Sequence, residues 1–411
     1  YYLLAAGLLA ATFSVQLSHV VDPIPLLTRT IGAALHPIGL RMYNAGVAGA
    51  HGLTETASGG EAGGGGPLAR GLGSVRYAEP RHFHQNLTFL LIFVGILLVG
   101  AYGRRFWCRN ICGLGALLAI VGRWGLLKRR CTDACTECLR CVVECKMSAI
   151  PRDPHGTVLR ECIQCWDCDD VCPVGASPVG LVPAGRTSED DQVRLGLTRR
   201  RLVGAMAAGF GYAMAAQTAP ARANRTAAFI PPPGALHVMS RAGLTERPYS
   251  VEDFLATCVR CGECMKACIT NALHPALGEG GFEAFWTPII VPRIGYCEPQ
   301  CNVCGTVCPT GALRFFWIAE KKDLICGIAR INRSTCIAWF EDRACLACNE
   351  ACGYQAVEMR EIPQERAGGE VVVHRRPVVV EPKCTGCGEC EKACPVKPDA
   401  AIYVVGLERL Q

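Results

Sequence analysis

The chain has 411 residues, enough for roughly two to four domains, and 50 % of them are hydrophobic. It carries 28 cysteines, only 7 % aromatic residues and a formal net charge of +6. No stretch combines basic and aromatic residues as nucleic-acid-binding modules do, so a nucleic-acid partner is excluded. The cysteines recur at regular spacings in a long chain, which is unlike a small secreted domain held by disulfides.

Residues 1–130 are predicted to form a membrane domain. Residues 1–21 contain no charged side chain and suit a transmembrane helix, with a signal peptide as the alternative. Residues 31–50 are apolar but interrupted, which is typical of an interfacial or re-entrant helix pair. A second span is predicted at residues 87–103. Only basic charged residues follow it up to residue 130, which predicts that this end faces the cytoplasm.

Two cysteines follow the second predicted span. Residues 106–117 read FWCRNICGLGAL and resemble the F-x-C-x3-C-P-x-G-A-L signature of NapH/MauN-type membrane polyferredoxins, with Gly113 in place of the proline. Their spacing predicts that Cys108 and Cys112 share one helix face, as ligands, as a redox pair or as small packing residues. Residues 111–127 are predicted to form an interfacial helix, a possible floor for a quinone site.

Residues 131–186 are predicted to form a two-cluster ferredoxin domain. Two runs of four cysteines with C-x2-C-x2-C-x3-C spacing are typical of [4Fe-4S] ligands, whereas zinc sites use paired C-x2-4-C hooks. The fourth cysteine of each run is expected to start a helix and to reach the neighbouring cluster. The predicted ligands are Cys135, Cys138, Cys141, Cys145, Cys162, Cys165, Cys168 and Cys172. Cys131 lies outside this frame, although its C-x3-C spacing with Cys135 leaves a frame shift open.

Residues 187–223 are predicted to be a linker with a third span at about residues 202–217. Residues 198–203 (TRRRLV), followed by an Ala/Gly-rich core, look like a twin-arginine signal. NapG-type ferredoxins carry such a signal at the N-terminus, so the chain resembles a NapH-type protein fused to a NapG-type one. The alternative is a buried Ala/Gly-rich helix, with all clusters on one side.

Residues 224–411 are predicted to form a four-cluster domain. Its cysteines fall into four motifs, which together with residues 331–339 (INRSTCIAW) resemble NapG/MauM ferredoxins. The predicted ligands are Cys258, Cys261, Cys264, Cys268, Cys297, Cys301, Cys304, Cys308, Cys336, Cys345, Cys348, Cys352, Cys384, Cys387, Cys390 and Cys394. Cys326 is an alternative to Cys336. A resemblance to DMSO-reductase electron-transfer subunits implies pairing of the first motif with the fourth and of the second with the third.

These patterns predict α+β ferredoxin-like 4Fe-4S domains attached to transmembrane α-helices. Short strands are expected at residues 371–374 and 378–380, with short helices after each last cysteine. Six motifs account for 24 ligands and six [4Fe-4S] clusters, while Cys108, Cys112, Cys131 and Cys326 stay unassigned. No catalytic triad or acid–base carboxylate pair stands out, so the sequence leaves enzymatic activity open.

The resemblance implies a protein of the bacterial inner membrane, with the two-cluster domain in the cytoplasm and the four-cluster domain in the periplasm. Electrons would pass between the quinone pool or a cytoplasmic donor and a periplasmic molybdenum or cytochrome oxidoreductase. A quinol dehydrogenase with its own quinone site is one alternative. An accessory protein that supplies electrons for the maturation of a periplasmic metalloenzyme is the other.

Overall fold

The computed structural model describes residues 1–12, 22–57, 83, 86–102, 106–122, 126–181, 199–217, 229–235, 251–365 and 371–406. The chain forms two compact units, the first comprising Tyr1–Leu26 and Leu91–Ala215 and the second Leu27–Leu90 and Ala216–Gln411. This division differs from the predicted one because the segment between the two predicted spans belongs with the C-terminal part of the chain. Residues 13–21 and the predicted linker at residues 187–198 lie outside the described residues.

The first unit combines helices with one small sheet. Its helices are Tyr2–Thr12, Asn86–Tyr102 from Leu91 onwards, Phe106–Asn110, Gly113–Gly122, Arg140–Glu144, Asp167–Asp170 and Arg199–Gln217. It has two strands, Leu127–Arg129 and Val179–Leu181, which pair antiparallel. The pairing brings together the two ends of the segment that carries the first two cysteine motifs. The small residues of the first and last helices allow close packing, because a Cβ at Gly209 would lie 2.4 Å from the carbonyl oxygen of Ala6.

The predicted spans are not matched by the described helices. No helix in the described part of the chain is both long and apolar enough to cross a membrane. The Tyr2–Thr12 helix has 11 residues, and the apolar Asn86–Tyr102 helix has 17. The Arg199–Gln217 helix has 19 residues but begins with three arginines and contains three glycines.

The helix predicted at residues 111–127 is also interrupted. The Phe106–Asn110 helix ends before Cys112, a new helix covers Gly113–Gly122, and Leu127 already belongs to a strand. The prediction that Cys108 and Cys112 share one continuous helix is therefore wrong. Cys112 instead precedes the second helix, where its Sγ accepts the Gly115 N–H at 3.3 Å. Such a contact satisfies one of the amides that a helix N-terminus leaves without a partner.

The second unit contains short helices and three antiparallel strand pairs. Its helices are Pro23–Thr30 from Leu27 onwards, the π-helix Ile31–Leu35, His36–Ala57, Val251–Thr257, Glu263–Ala267, Val303–Thr306, Ile337–Phe340, Ala347–Glu350 and Glu389–Ala393. The 3-10 turns are Pro233–Ala235, Phe282–Ala284, Ile318–Asp323 and Glu381–Lys383. The strand pairs are Leu273–Pro275 with Pro288–Ile290, Gly327–Ile331 with Ile402–Gly406, and Val357–Glu365 with Val371–Val379.

The two short strands predicted at residues 371–374 and 378–380 form one continuous strand, Val371–Val379. Its register with Val357–Glu365 places Pro377 opposite Met359. Two strands pair in this sheet, so a proline without an N–H can be accommodated at the free edge. The pairing brings the third and fourth cysteine motifs, which lie on either side of this hairpin, close in space.

The segment at residues 27–57 packs against the first motif of the four-motif region. Arg29 is fully buried, with its guanidinium carbon 3.9 Å from the ring centre of Trp286. Thr28 donates its hydroxyl to the carbonyl of Cys261 at 3.2 Å. Phe83 is likewise buried, 5.6 Å from the ring of His274. These contacts cover one side of the first cysteine motif with protein.

Candidate cluster-binding sites

Each of the six motifs folds around a short helix that carries its third cysteine. The helices are Arg140–Glu144, Asp167–Asp170, Glu263–Ala267, Val303–Thr306, Ala347–Glu350 and Glu389–Ala393. The fourth cysteine lies at or just past the end of its helix, so the predicted helices after the last cysteines are wrong. In the first motif, for example, the Cys145 N–H donates to the carbonyl of Cys141 and closes the helix.

The second cysteine of the four C-x2-C-x2-C-x3-C motifs lies in an unusual stretch of backbone. Both of its neighbours have positive φ, and in the first two motifs these are Glu137, Leu139, Gln164 and Trp166, with φ between 53° and 63°. Non-glycine residues adopt this region at a cost of about 1–2 kcal/mol each. The arrangement turns successive thiols toward one point. Neither Leu139 nor Trp166 is a residue type from which a positive φ would be predicted.

A second repeated feature follows the fourth cysteine. A residue with positive φ stands three positions later in five motifs: Ser148, Gly175, Asn271, Gly311 and Gln355. The turn directs a backbone N–H at the cysteine sulfur in each of these motifs. The donors and distances are Ala149 to Cys145 at 3.2 Å, Ala176 to Cys172 at 3.1 Å, Ala272 to Cys268 at 3.3 Å, Leu313 to Cys308 at 3.3 Å and Ala356 to Cys352 at 3.2 Å. Amides aimed at sulfur stabilise a thiolate.

The first unit contains two cavities, each lined by four of the predicted ligand cysteines. Site A is lined by Cys135, Cys138, Cys141 and Cys172, and site B by Cys145, Cys162, Cys165 and Cys168. Each cavity therefore combines three cysteines of one motif with the fourth cysteine of the other. This is the exchange predicted between the two runs.

The second unit shows the same exchange within neighbouring motifs. Site D is lined by Cys268, Cys297, Cys301 and Cys304, and site E by Cys336, Cys345, Cys348 and Cys394. Electrostatic interactions assign the remaining eight ligand cysteines to two more groups, site C with Cys258, Cys261, Cys264 and Cys308, and site F with Cys352, Cys384, Cys387 and Cys390. The structure therefore pairs the first motif with the second and the third with the fourth. The pairing implied by the DMSO-reductase resemblance is wrong.

Burial is the largest influence on the pKa of Cys258 and of Cys387. Burial raises the pKa of Cys258 to about 11, and the charges of Cys261 and Cys308 also raise it. Burial raises the pKa of Cys387 to about 12, with further contributions from Cys297 and Cys352. A metal that binds thiolates must displace these protons, so cluster binding at the sites couples to proton release.

The four unassigned cysteines have separate environments. Cys131 lines the cavity of site A, and its sulfur lies within 4.8 Å of ligand atoms of Cys135 and His155. Cys326 is buried and lies between sites D and F, where burial raises its pKa and Cys297 raises it further. Cys112 caps a helix. The side chain of Cys108 lies outside the described part of the structure.

The residues present fit an anionic, thiolate-bound cluster. All cysteine side chains that the structure describes are free thiols. Lys321 is 3 % exposed, and its ammonium donates to the backbone carbonyls of Glu298 and Cys301. Among the described residues, no carboxylate forms an ion pair with this buried cation. A negatively charged group in the adjoining site D would supply the missing counter-charge.

Arg129 has the corresponding place in the first unit. Its buried side chain lines the cavities of both site A and site B. The guanidinium donates to the Ser177 hydroxyl at 2.6 Å, to the Pro154 carbonyl at 2.8 Å and to the Cys141 sulfur at 3.5 Å. It therefore orders the loop between the motifs and places positive charge beside both thiol sets.

Comparisons with known proteins agree with this chemistry. Residues 343–397 match a family model described as a 4Fe-4S dicluster domain, and residues 85–131 match one described as a 4Fe-4S binding domain. The matches and the thiol sites define a ferredoxin-type iron–sulfur electron-transfer protein. They do not support the expected relation of residues 106–117 to NapH/MauN-type membrane proteins, because the matched description names 4Fe-4S binding alone.

Curated relatives specify the family. The chain is 38 % identical over 157 residues to the methylamine utilization ferredoxin-type protein MauM of Paracoccus denitrificans, covering 38 % of this chain and 66 % of the relative. It is 38 % identical over 161 residues to MauM of Methylorubrum extorquens, covering 38 % and 69 %. It is 33 % identical over 213 residues to the ferredoxin-type protein NapG of Escherichia coli, covering 50 % and 82 %. The chain belongs to the MauM/NapG family of ferredoxin-type proteins.

Proposed function

We propose that this chain is an electron conduit that holds six [4Fe-4S] clusters at sites A to F, through the 24 cysteines assigned to them. When bound, such a cluster accepts and releases one electron at a time. The observation that carries the proposal is the exchange of fourth cysteines, which completes a four-thiol set at every site. All ligand positions would then be filled by protein, so no site is assigned a substrate-binding role.

We propose that the other residues around the sites adjust the reduction potentials of the clusters and separate the clusters from solvent. Reduction adds negative charge, so buried cations beside the thiols and amides aimed at their sulfurs favour the reduced state. Lys321 would act on site D, and Arg129 would act on sites A and B. The backbone amides at Ala149 and Ala176 would act on the same two sites of the first unit.

Metal analysis of the anaerobically purified full chain tests the proposal. Six clusters predict about twenty-four iron atoms and an equal amount of acid-labile sulfide per chain. An iron content near sixteen would mean that two sites are empty. Stoichiometric zinc, or disulfides among the 24 cysteines, would contradict the proposal altogether.

The partners proposed for the conduit are a quinol or cytoplasmic donor and a periplasmic molybdenum or cytochrome oxidoreductase. Membership of a family that includes NapG supports an electron-transfer partner. Export of the four-cluster region is supported by the exposed arginines at the start of the Arg199–Gln217 helix. A reporter fused after Gln411 should be active in the periplasm, and changing Arg199 and Arg200 to lysine should block its export. Reporter activity confined to the cytoplasm would contradict this placement.

Functional assays distinguish the conduit from two alternatives, a quinol dehydrogenase and an accessory protein for maturation. Oxidation of a menaquinol analogue by the purified protein alone would favour a quinol dehydrogenase over a conduit. The MauM relatives are named for methylamine utilization, which is compatible with the alternative of an accessory ferredoxin. A deletion strain distinguishes that role: a partner enzyme that lacks its cofactor indicates maturation, whereas a fully assembled enzyme starved of electrons indicates the conduit.

A further inference from the structure

The first two motifs of the four-motif region touch the last two at one pair of cysteines. The backbone N–H of Cys297 donates to the backbone carbonyl of Cys387 at 2.8 Å. Cys297 lines site D, and Cys387 belongs to site F. A single hydrogen bond therefore connects the main chains of two cysteines that belong to different thiol sets.

Close packing holds this junction in place. Gly388, at φ 85°, packs so tightly that a Cβ there would lie 2.6 Å from the Cβ of Pro292. The Gly353 N–H donates to the carboxylate of Glu389 at 3.3 Å. These contacts join the residues before Cys297 to those after Cys387, and they tie in the turn after Cys352. The junction is therefore fixed by backbone geometry.

The space beside the junction is filled by protein. Cys326 is 2 % exposed, and its N–H donates to the Thr385 carbonyl at 2.8 Å. Three residues further on, the Ala329 N–H donates to the Cys384 sulfur at 3.4 Å. The segment carrying Cys326 thus contacts site F through Thr385 and Cys384, and Cys326 interacts electrostatically with Cys297 of site D. Cys326 and Cys384 are both buried here, so charges at this junction interact in a lower effective dielectric constant than in water.

The thiols of sites C and E interact within their own halves, although the Arg293 guanidinium of the first half donates to the backbone carbonyl of Cys394 in site E at 3.0 Å. The thiol charges that act on Cys264 in site C come from the first two motifs. Those acting on Cys348 in site E come from the last two. Within each half, the exchanged fourth cysteine links neighbouring sites, C with D and E with F. The described contacts therefore define one linear succession of sites.

We propose that the four sites form a single wire in the order C, D, F, E, with the Cys297–Cys387 hydrogen bond as the link between its halves. The ends of the wire, at sites C and E, exchange electrons with partners. This inference rests on the proposed function. With clusters bound at sites D and F, transfer of one electron across the link in either direction would oxidise one cluster and reduce the other. No bond breaks and no proton needs to move.

The order is tested by electron paramagnetic resonance on two double variants of the full chain, reduced with dithionite. Cys261→Ala with Cys345→Ala removes the proposed ends and leaves sites D and F. Cys301→Ala with Cys390→Ala removes the proposed middle and leaves sites C and E. Both variants should lose about eight iron atoms, and the signals of sites A and B are a common background.

We expect the double variant that lacks sites C and E to keep spin–spin broadening between the clusters of sites D and F. The double variant that lacks sites D and F should show two independent signals, from sites C and E. Equal broadening in both double variants, or broadening only in the variant that lacks sites D and F, would overturn the order. Should a double variant fail to fold, Cys301→Ala and Cys390→Ala alone give the same test. The first should remove broadening from the site C signal and the second from the site E signal, because each end of the proposed order has one neighbour. Absence of clusters from the unaltered chain would instead refute the proposed function itself.

Discussion

Arg129 offers a sharp test of how this protein sets the potentials of its clusters. Replacing it by methionine removes a buried positive charge that lines both cavities of the first unit. The guanidinium lies 3.5 Å from the Cys141 sulfur of site A. At site B, burial raises the pKa of Cys168 while the charge of Arg129 lowers it. We therefore expect Arg129→Met to lower the reduction potentials of both sites.

The size of the shift follows from Coulomb's law. A full charge 3.5 Å from the guanidinium interacts by about 5 kcal/mol at an effective dielectric constant of about 20. An added electron is spread over the cluster and its ligands, so roughly a quarter of it on the Cys141 sulfur contributes about 1 kcal/mol. For a one-electron couple this corresponds to a decrease of roughly 50 mV. The loss of hydrogen bonds to the Pro154 and Gly156 carbonyls should also accelerate cluster loss.

A redox titration followed by electron paramagnetic resonance measures the effect. Arg152→Met is the matched control, because it removes the same charge from an exposed position in the same unit. Arg129→Lys keeps the charge and should recover most of the potential, while losing part of the hydrogen-bond network. Equal potentials in Arg129→Met and Arg152→Met, or a shift at one site alone, would refute the idea that Arg129 acts on both.

Three further predictions concern ligands, backbone and pH. Cys131→Ser should retain the full iron content, whereas Cys135→Ser should lose about four atoms; the reverse result would show that the motif is shifted in frame. Gly386 has φ 73°, and the Cβ of Gly386→Ala would lie 2.4 Å from the backbone of Gly327, so this variant should impair iron loading. Gly311 has φ 68° but faces open space, so Gly311→Ala should lower the free energy of unfolding by only about 1–2 kcal/mol. Equal iron contents in the two glycine variants would contradict the packing. Burial raises the pKa of Glu391, so its stabilising contribution is complete below the unfolded value of about 4.3 and is lost as the pH rises through the folded value. Glu391→Gln should therefore slow cluster loss at neutral pH and weaken its pH dependence; an unchanged pH profile would exclude this carboxyl as the cause.

Much of the local structure follows from spacing alone. The C-x2-C-x2-C-x3-C runs identify four-thiol sets because ligand geometry around a cluster is satisfied within about ten residues. The exchange between the two runs of the first unit was predictable for the same reason. The strand at Val371–Val379 was partly visible in its β-branched residues, although Pro377 obscured its continuity.

Other features depend on segments far apart in sequence. The pairing of motifs in the second unit is decided by strand pairs such as Gly327–Ile331 with Ile402–Gly406, whose register no local pattern encodes. Short helices were expected after the fourth cysteines, but the positive φ values near Cys138 and Cys165 place them earlier. Among the described residues, no helix is long and apolar enough to match the predicted spans.

Sequence by itself determined which side chains could bind metal, since thiol spacing is a local property of the chain. Tertiary structure decided which thiols meet at one site, which buried cation faces them, and where one half of the second unit touches the other. The reason is physical: a cluster site is closed by a fourth cysteine and a counter-charge that arrive from elsewhere in the chain. Their approach depends on packing between segments, as Arg129, Lys321 and the Cys297–Cys387 contact show.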